Sequence, residues 1–591
     1  MVVFMEIFKK NKHEGLRTLF KFYKKHIGYF IGYAIILIIM AVINFFEAMY
    51  VAKVISNIMD IGNYDEALRC AFFCLAMGCT CALLSVLNTY FYKQLENKTK
   101  IDIQQMVLRQ SLEIQMKTYD KMGSGVIVTR LTSDISALST EFKAITSSVI
   151  DLLKKAAYVF YIFALNKWLG LYLVGAIILT ILTSKLRVHY FRKLKPSVNA
   201  AAENVNSRII EIIRGVKDIK TLNCGDATLD VVRKNQIDFS KKDNKEWYVG
   251  VSLGQTTNVI RYLCNFFFIF LCIYFLRENS LTPLIFYTCF LYKDNVLNFS
   301  ATLEGLQLNL GSVEVYARRI FKLIDPNTYD MDIYGEDNIE DYKGSITFDN
   351  VSFGYDSNSK VLSDASFEIE AKQTVAFVGE SGCGKTTILN LISHMYYKTA
   401  GNIYFDGVPI ENLSREFVKK NIAVVNQFPY IFNLSIRDNF RLIRPEITDE
   451  EILNLCKETN IYSLIEKLPD GLDSVIGENG CQFSGGQKQK LCIARALARN
   501  VKILIFDEAT SALDNANQQE IMRVIEKLKD RVTIILVAHR LSTITYADCI
   551  YLLEKGKVVD KGTHEELLNK NDFYKNLYNV ANESSGATIF N

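Results

Sequence analysis

Histidine is scarce, with six in 591 residues, and none of the 13 cysteines stands in a C-x-x-C pair facing histidines at zinc spacing. A zinc-finger or zinc-ribbon module is thereby excluded. The cysteines are scattered, many of them inside apolar runs, as at Cys70, Cys74, Cys79, Cys81, Cys264, Cys272 and Cys289. That pattern reads as reduced, small, core or lipid-facing residues rather than a disulfide framework. Charge of one sign is also lacking. A formal net charge of +4 is nearly neutral for this length, so the total says little about partners; no nucleic acid is expected among them. Met1 to Lys12 has no apolar core ahead of its basic cluster, so no cleavable signal is expected. The length itself exceeds what one hydrophobic core holds, and two or more domains follow.

Long apolar runs are abundant in the first half. They lie near 28–57, 66–92, 143–165, 168–188, 250–276 and 281–308, each about the 20 residues that cross a bilayer. The runs are apolar on every face, which does not suit a soluble bundle whose helices bury one stripe. Basic residues cluster in the segment before the first run, from Lys9 to Lys25, and in the long connections after the second and fourth runs. The short connections hold almost none: Met59 to Asp65 carries no Lys or Arg. This bias puts both termini and the long connections on the cytoplasmic side. The long connections are polar and show helical periodicity, so they should be helices continuing out of the bilayer. An acidic stretch from Asp325 to Asp341 then marks a boundary, and from Gly344 on alternating strands and helices read as an α/β domain.

Gly379-Glu380-Ser381-Gly382-Cys383-Gly384-Lys385-Thr386 is a complete G-x-x-x-x-G-K-[ST] loop. The apolar run Thr374 to Val378 precedes it and the helix-like Thr387 to Ile392 follows. In that strand–loop–helix context, glycines let backbone N–H groups wrap phosphate oxygens, and the helix N-terminus adds partial positive charge. Lys385 can reach the outer phosphates of a nucleotide, and Thr386 offers a hydroxyl to Mg²⁺. About a hundred residues later comes Phe483-Ser484-Gly485-Gly486-Gln487.

With both motifs in this order, the chain resembles an ATP-binding-cassette (ABC) exporter half-transporter over nearly its whole length. The resemblance implies an all-α six-helix transmembrane domain with long cytoplasmic helix extensions, fused to an α/β P-loop nucleotide-binding domain. The expected boundaries are 1–26 for a cytoplasmic segment, 27–324 for the transmembrane domain, 325–343 for a linker, 344–580 for the nucleotide-binding domain and 581–591 for a tail. Position by position, the resemblance implies that Tyr355 stacks on adenine. It implies that Gly379, Ser381, Gly382, Cys383, Gly384, Lys385, Thr386 and Thr387 contact ATP phosphates. Gln427 resembles the glutamine that contacts Mg²⁺ and the attacking water. Ser484, Gly485, Gly486 and Gln487 resemble the signature, with Phe483 where a leucine is usual. Ile503 to Phe506 read as the buried strand that aims Asp507 at Mg²⁺ and Glu508, the general base, at water. Ser511-Ala512-Leu513-Asp514 resembles the D-loop, so Asp514 joins the nucleotide site, and His539 resembles the switch histidine. Glu478 sits where exporters carry a glutamate facing the membrane helices, but Asn479 replaces the arginine that often follows it.

In this family the signature completes the site of the opposite subunit, so the resemblance implies a dimer. Glu508 and His539 are both present, which favours a homodimer with two active sites. Tyr119 to Gly125 and Glu211 to Val216 resemble the two turns that couple membrane helices to motor domains. The implied activity is ATP hydrolysis driving export of a peptide, lipid or amphipathic molecule, with membrane lipid as a partner. A lipid floppase and a nucleotide-gated regulator or channel are the alternatives. The high Lys, Asn, Ile and Tyr content points to an AT-rich bacterial genome and so to a plasma membrane. No domain precedes the first span, so no leader-cutting peptidase is expected. Mid-span Glu47, Lys154, Lys155, Lys293 and Asp294 are candidates for a wet cargo cavity; the alternative is that they pair and fix helix packing. Cys383, at a helix N-terminus, is expected to have a lowered pKa and to be an alkylation site.

Overall fold

The computed structural model describes all residues except 1–13, 123, 324, 326–327, 357–359, 478–482, 508–514, 538–540 and 585–591. The chain divides into two compact units. One comprises Met1–Leu112 and Gly123–Tyr329, the other Glu113–Met122 and Asp330–Asn591.

The first unit is helical, and its breaks are encoded locally. The Ile27–Ser56 helix passes through a five-residue π-turn, Asn57–Ile61, and ends at Gly62 in the left-handed region. Asn63 then caps Tyr64–Ser111, its Oδ1 accepting from Glu66 N at 3.1 Å. Ile135–Leu165 ends at Asn166, whose side chain accepts from Trp168 N and Leu169 N and so starts Lys167–Arg214. The near-continuous third and fourth runs are therefore split by an N-cap. Gly225–Arg277 follows, and then Thr282 caps a helix that begins at Pro283, where proline's fixed φ suits the first position. The last apolar run is not one helix: Pro283–Leu297 and Phe299–Phe321 meet at Asn298.

Among the described residues four helices are long and apolar enough to cross a membrane: Ile27–Ile61, Tyr64–Ser111, Lys167–Arg214 and Gly225–Arg277. In the first two, only 6% of the most apolar window is buried within the protein, as expected of surfaces that face lipid. The third and sixth expected runs fall outside this set. Asp151, Lys154 and Lys155 interrupt one, and Lys293, Asp294 and the break at Asn298 interrupt the other. An aromatic cluster packs these helices together. Tyr158 and Tyr292 stack with ring centres 4.4 Å apart, Phe45 stacks on both at 5.4 Å, and Tyr292 Oη donates to Phe45 O at 2.7 Å. The expected helical extensions are present: Tyr64–Ser111, Lys167–Arg214 and Gly225–Arg277 span 48, 48 and 53 residues. At about 1.5 Å per residue, each is more than twice the thickness of a hydrocarbon core.

The second unit is α/β. A four-stranded sheet has the order β2 (Leu362–Ile369), β1 (Ile346–Phe353), β4 (Ala400–Phe405), β5 (Val408–Pro409). A six-stranded sheet runs β12 (Lys557–Gly562), β11 (Cys549–Glu554), β3 (Thr374–Val378), β10 (Thr533–Val537), β9 (Ile503–Asp507), β6 (Ile422–Val425), and β7 (Leu434–Ser435) pairs with β8 (Val475–Ile476) in a short ribbon. From β11 to β6 every pairing is parallel. β3 and β10 are buried at every position, as central strands covered on both faces must be. Phe348, Phe367, Phe377 and Tyr551 fill the space between the sheets, and Ile521, Val524 and Leu528 cover the other face of the six-stranded sheet. A separate helical core gathers Ile436, Phe440, Ile452, Leu491 and Ala494, with Phe483 buried among them.

Glu113–Met122 belongs to this second unit. Ile114 forms an antiparallel bridge with Met331, Gln115 N donates to Asp330 O at 3.0 Å, and Asp332 N donates to Glu113 O at 2.8 Å. Arg415 pairs with Glu113, Tyr396 Oη donates to the Asp120 carboxylate, and Lys121 pairs with Asp356. These contacts hold most of the first expected coupling turn on the α/β unit. The second, Glu211 to Val216, forms the bend between Lys167–Arg214 and Val216–Thr221, where Ile210, Ile213 and Val216 are exposed.

Candidate nucleotide site

The site is assembled by strand register. Phe377 on β3 lies beside Val537 on β10, and Val537 lies beside Asp507 on β9. Phe506 in turn lies beside Val425 on β6. Parallel strands in this register end together, so the 379–386 loop after β3, Asp507 at the end of β9 and Gln427 just past β6 emerge at one edge. In open α/β sheets that carboxyl edge is where ligands bind. Glu508 and His539, which follow β9 and β10 in the sequence, lie outside the described residues, as do Asp514 and Glu478.

The loop has the geometry of a phosphate cradle. Gly384 is the N-cap of Lys385–Ile392 with φ 108°, a value L side chains rarely adopt. At Gly379 a Cβ would lie 2.2 Å from Leu553 O, so strand β11 leaves no room for a side chain. Lys385 is buried, and its ammonium donates to Gly379 O at 2.8 Å and Glu380 O at 2.9 Å. The cation is thus held inside the curve of the loop. Ser381, Gly382 and Thr386 are exposed. Cys383 is 6% exposed, with Sγ 3.8 Å from Lys385 Nζ. Thr387 is buried and shares a 3.2 Å hydrogen bond with Tyr355 Oη. Tyr355 also packs edge-on against Phe353 and Tyr396. The expected adenine-stacking ring therefore sits beside the phosphate-loop helix.

Ser484 caps the helix Gly485–Leu497 through a reciprocal box: Ser484 Oγ accepts from Gln487 N, and Gln487 Oε1 accepts from Ser484 N at 2.9 Å. Gly485 is exposed, while Gly486 is buried against Asn517, where a Cβ would meet Cγ at 2.8 Å. This close approach had no signal in the motif itself. The start of the helix carries positive dipole potential. Phe483 in place of leucine is an apolar anchor for that helix.

Residues 30–293 match the family described as ABC transporter transmembrane region, and 362–511 match the one described as ABC transporter. An ATP-dependent lipid A-core flippase of Pasteurella multocida (strain Pm70) is 30% identical over 84% of this chain and 85% of its own length. The chain belongs to the ABC transporter family. It is an exporter-type half-transporter, a membrane protein that binds ATP and couples its hydrolysis to transport. Multidrug resistance protein 1 of Entamoeba histolytica (strain ATCC 30459 / HM-1:IMSS / ABRM) is 31% identical over 77% of this chain and 36% of its own length. The structure of a bacterial Atm1-family ABC exporter with ATP bound shares the fold of this ABC transporter. It superposes with a TM-score of 0.80 at 23% identity, covering 94% of this chain and 98% of that one.

Apart from Glu47, the mid-span charges of this transporter pair along their own helices. Asp151 accepts from Lys155 at 2.6 Å and from Lys154 at 3.1 Å. Lys155 also donates to Thr302, and Thr302 Oγ1 donates to Asp151 at 3.1 Å. Lys293 is buried with its ammonium 3.1 Å from Asp294 and 3.9 Å from the Phe290 ring centre. Glu47 is half-buried. For Asp151 and Lys155, which also engage Thr302 on another helix, these contacts fit the helix-packing reading, while the Asp294 carboxylate is exposed.

Proposed function

We propose that the chain forms a homodimeric, multi-pass exporter of a bacterial plasma membrane, with both termini cytoplasmic. The basic bias of the long connections supports the orientation, and domain limits of 27–324 and 344–580 go with it. The observation that carries the reading of the site is the register Phe377–Val537–Asp507, which supports one shared edge for the loop and the acidic strand end.

In this reading the 379–387 backbone and Lys385 bind the phosphates, and Tyr355 takes the adenine. Thr386, Gln427 and Asp507 are hard oxygen donors that suit Mg²⁺, which when bound neutralises phosphate charge. Glu508 polarises the attacking water, His539 hydrogen-bonds the γ-phosphate, and Asp514 closes the site. Ser484, Gly485, Gly486 and Gln487 serve the nucleotide of the partner subunit. Because phosphoryl transfer asks for positioning and charge stabilisation, no covalent intermediate on the protein is needed. The names of the relatives, a lipid flippase and a multidrug resistance protein, support a lipid or amphipathic cargo.

The test is ATP hydrolysis by the purified chain alone in lipid nanodiscs. Wild type turns over, and Glu508→Gln falls by roughly 10²- to 10⁴-fold, the range of a lost general base. Silence of both proteins refutes the self-sufficient homodimer.

A further inference from the structure

The membrane unit contains a polar cavity of about 200 Å³ away from the paired charges. Three helices line it. Lys167–Arg214 supplies Ser184 and Arg187, Gly225–Arg277 supplies Gln255, Asn258 and Arg261, and Phe299–Phe321 supplies Glu304. Ser184 and Arg187 are three residues apart, as are Gln255, Asn258 and Arg261 in succession, so each set lies along one side of its helix. Arg187 and Glu304 form an ion pair at 3.2 Å; the carboxylate is 9% exposed and the guanidinium 42%. Gly254 lets that guanidinium pass closely, since a Cβ there would already touch Cζ at 3.4 Å.

The polar groups here are not mutually satisfied. Arg261 Nε and Ser184 Oγ are enclosed without a hydrogen-bond partner among the described residues, as are neighbouring Ser300 Oγ and Asn265 Oδ1. Enclosed polar atoms of this kind cost free energy unless something else bonds them. Two guanidiniums face a single carboxylate, so one positive charge is left over. The volume is below the roughly 300 Å³ of a pocket that swallows a drug-sized molecule. It suits a group rather than a whole molecule. Arg187 lies about 30 Å along its helix from Lys167, at about 1.5 Å per residue. That is the full thickness of a hydrocarbon core, which puts the cavity at headgroup depth on the far side.

We infer that this cavity is an anion-recognition site for the cargo, in which Arg261 and Arg187 bind a carboxylate or phosphate and Glu304 is displaced from Arg187 as it enters. The inference rests on the export reading and its orientation, and it names the cargo's recognised group. Guanidinium forks fit both anions in bidentate fashion. The anion has two sources: the headgroup of an inner-leaflet lipid or the terminus of a soluble peptide.

The experiment measures binding without ATP, so that its failure is distinct from failure of the ATPase reading. The full-length chain is placed in phosphatidylcholine nanodiscs, and two probes are titrated by native mass spectrometry. One is phosphatidic acid; the other is a short peptide with a free carboxyl terminus, compared with its amidated form. Arg261→Gln weakens the preferred probe tenfold or more, as loss of a charged hydrogen bond does. Glu304→Gln tightens it severalfold, because a competing carboxylate is gone; a purely structural Glu304 would not do this. Selective loss of phosphatidic acid binding identifies a lipid source, and loss matched by peptide amidation identifies a soluble one. If Arg261→Gln binds both probes as wild type does, or Glu304→Gln weakens the preferred one, the inference is overturned.

Discussion

Replacing Gly384 by alanine tests whether the phosphate loop is held by backbone geometry. Its φ of 108° places an L residue in strained territory. Non-glycine residues there cost about 1–2 kcal/mol. A second term comes from Leu362, whose Cδ2 would lie 2.7 Å from the new Cβ. That atom is the end of a side chain and can turn away, so the overpacking is at the low end, about 1 kcal/mol. Gly382 separates the two terms. It has φ 82° but open space around it, so Gly382→Ala carries the strain alone. If the loop must hold its shape to bind phosphates, Gly382→Ala weakens nucleotide binding roughly 5- to 30-fold and Gly384→Ala roughly 30- to 150-fold, at 1.4 kcal/mol per tenfold. Equilibrium titration of a fluorescent ATP analogue against the full chain measures both. Gly384→Ala within about threefold of wild type, or Gly382→Ala the weaker binder, refutes the argument.

Two further outcomes are expected. Cys383 is nearly enclosed beside Lys385, so a maleimide should label it slowly, block nucleotide binding once attached and be excluded by ATP; equal inhibition of Cys383→Ala would contradict this. Burial holds the His394 pKa below its ordinary value, outweighing the hydrogen bond from Nε2 to Ile333 O at 2.9 Å. The unfolded chain then binds the proton more readily, so stability should be lost as pH falls below about 6.5. The drop in thermal unfolding temperature between pH 7.5 and 5.5 should shrink in His394→Asn, and an unchanged drop would remove His394 as its cause.

Much of the fold is written locally. The motif from Gly379 to Thr386 specifies a turn whose glycine φ values admit little else, and the buried run Ile503–Phe506 already aims Asp507. Asn166 and Thr282 announce helix starts because a side-chain oxygen must satisfy the first N–H groups. The i, i+4 spacing of Asp151 and Lys155 made their pairing readable. The cavity was not read, because Arg187 and Glu304 meet only through tertiary packing and both sit near the ends of apolar runs, where charge looks unremarkable. The signal was there in the Gln255, Asn258, Arg261, Asn265 stripe within the apolar run 250–276. Nor did sequence show that the departure from the helical unit begins at Glu113, ahead of the coupling turn. That follows from a bridge between Ile114 and Met331, a pairing no local pattern encodes.

That bridge has a consequence for biogenesis. Gln115 Nε2 donates to Met331 O across a separation of 216 residues. A ribosome adding about 5–20 residues per second makes that partner tens of seconds later. During that interval Glu113–Met122 has no strand to join, while the helices on either side of it are already being made. The α/β unit is therefore discontinuous in the gene, and a fragment beginning at Asp330 would be born without the segment that Tyr396, Arg415 and Met331 hold. Supplying Glu113–Met122 as a separate peptide should raise the solubility of such a fragment, a complementation that an uninterrupted domain would never need.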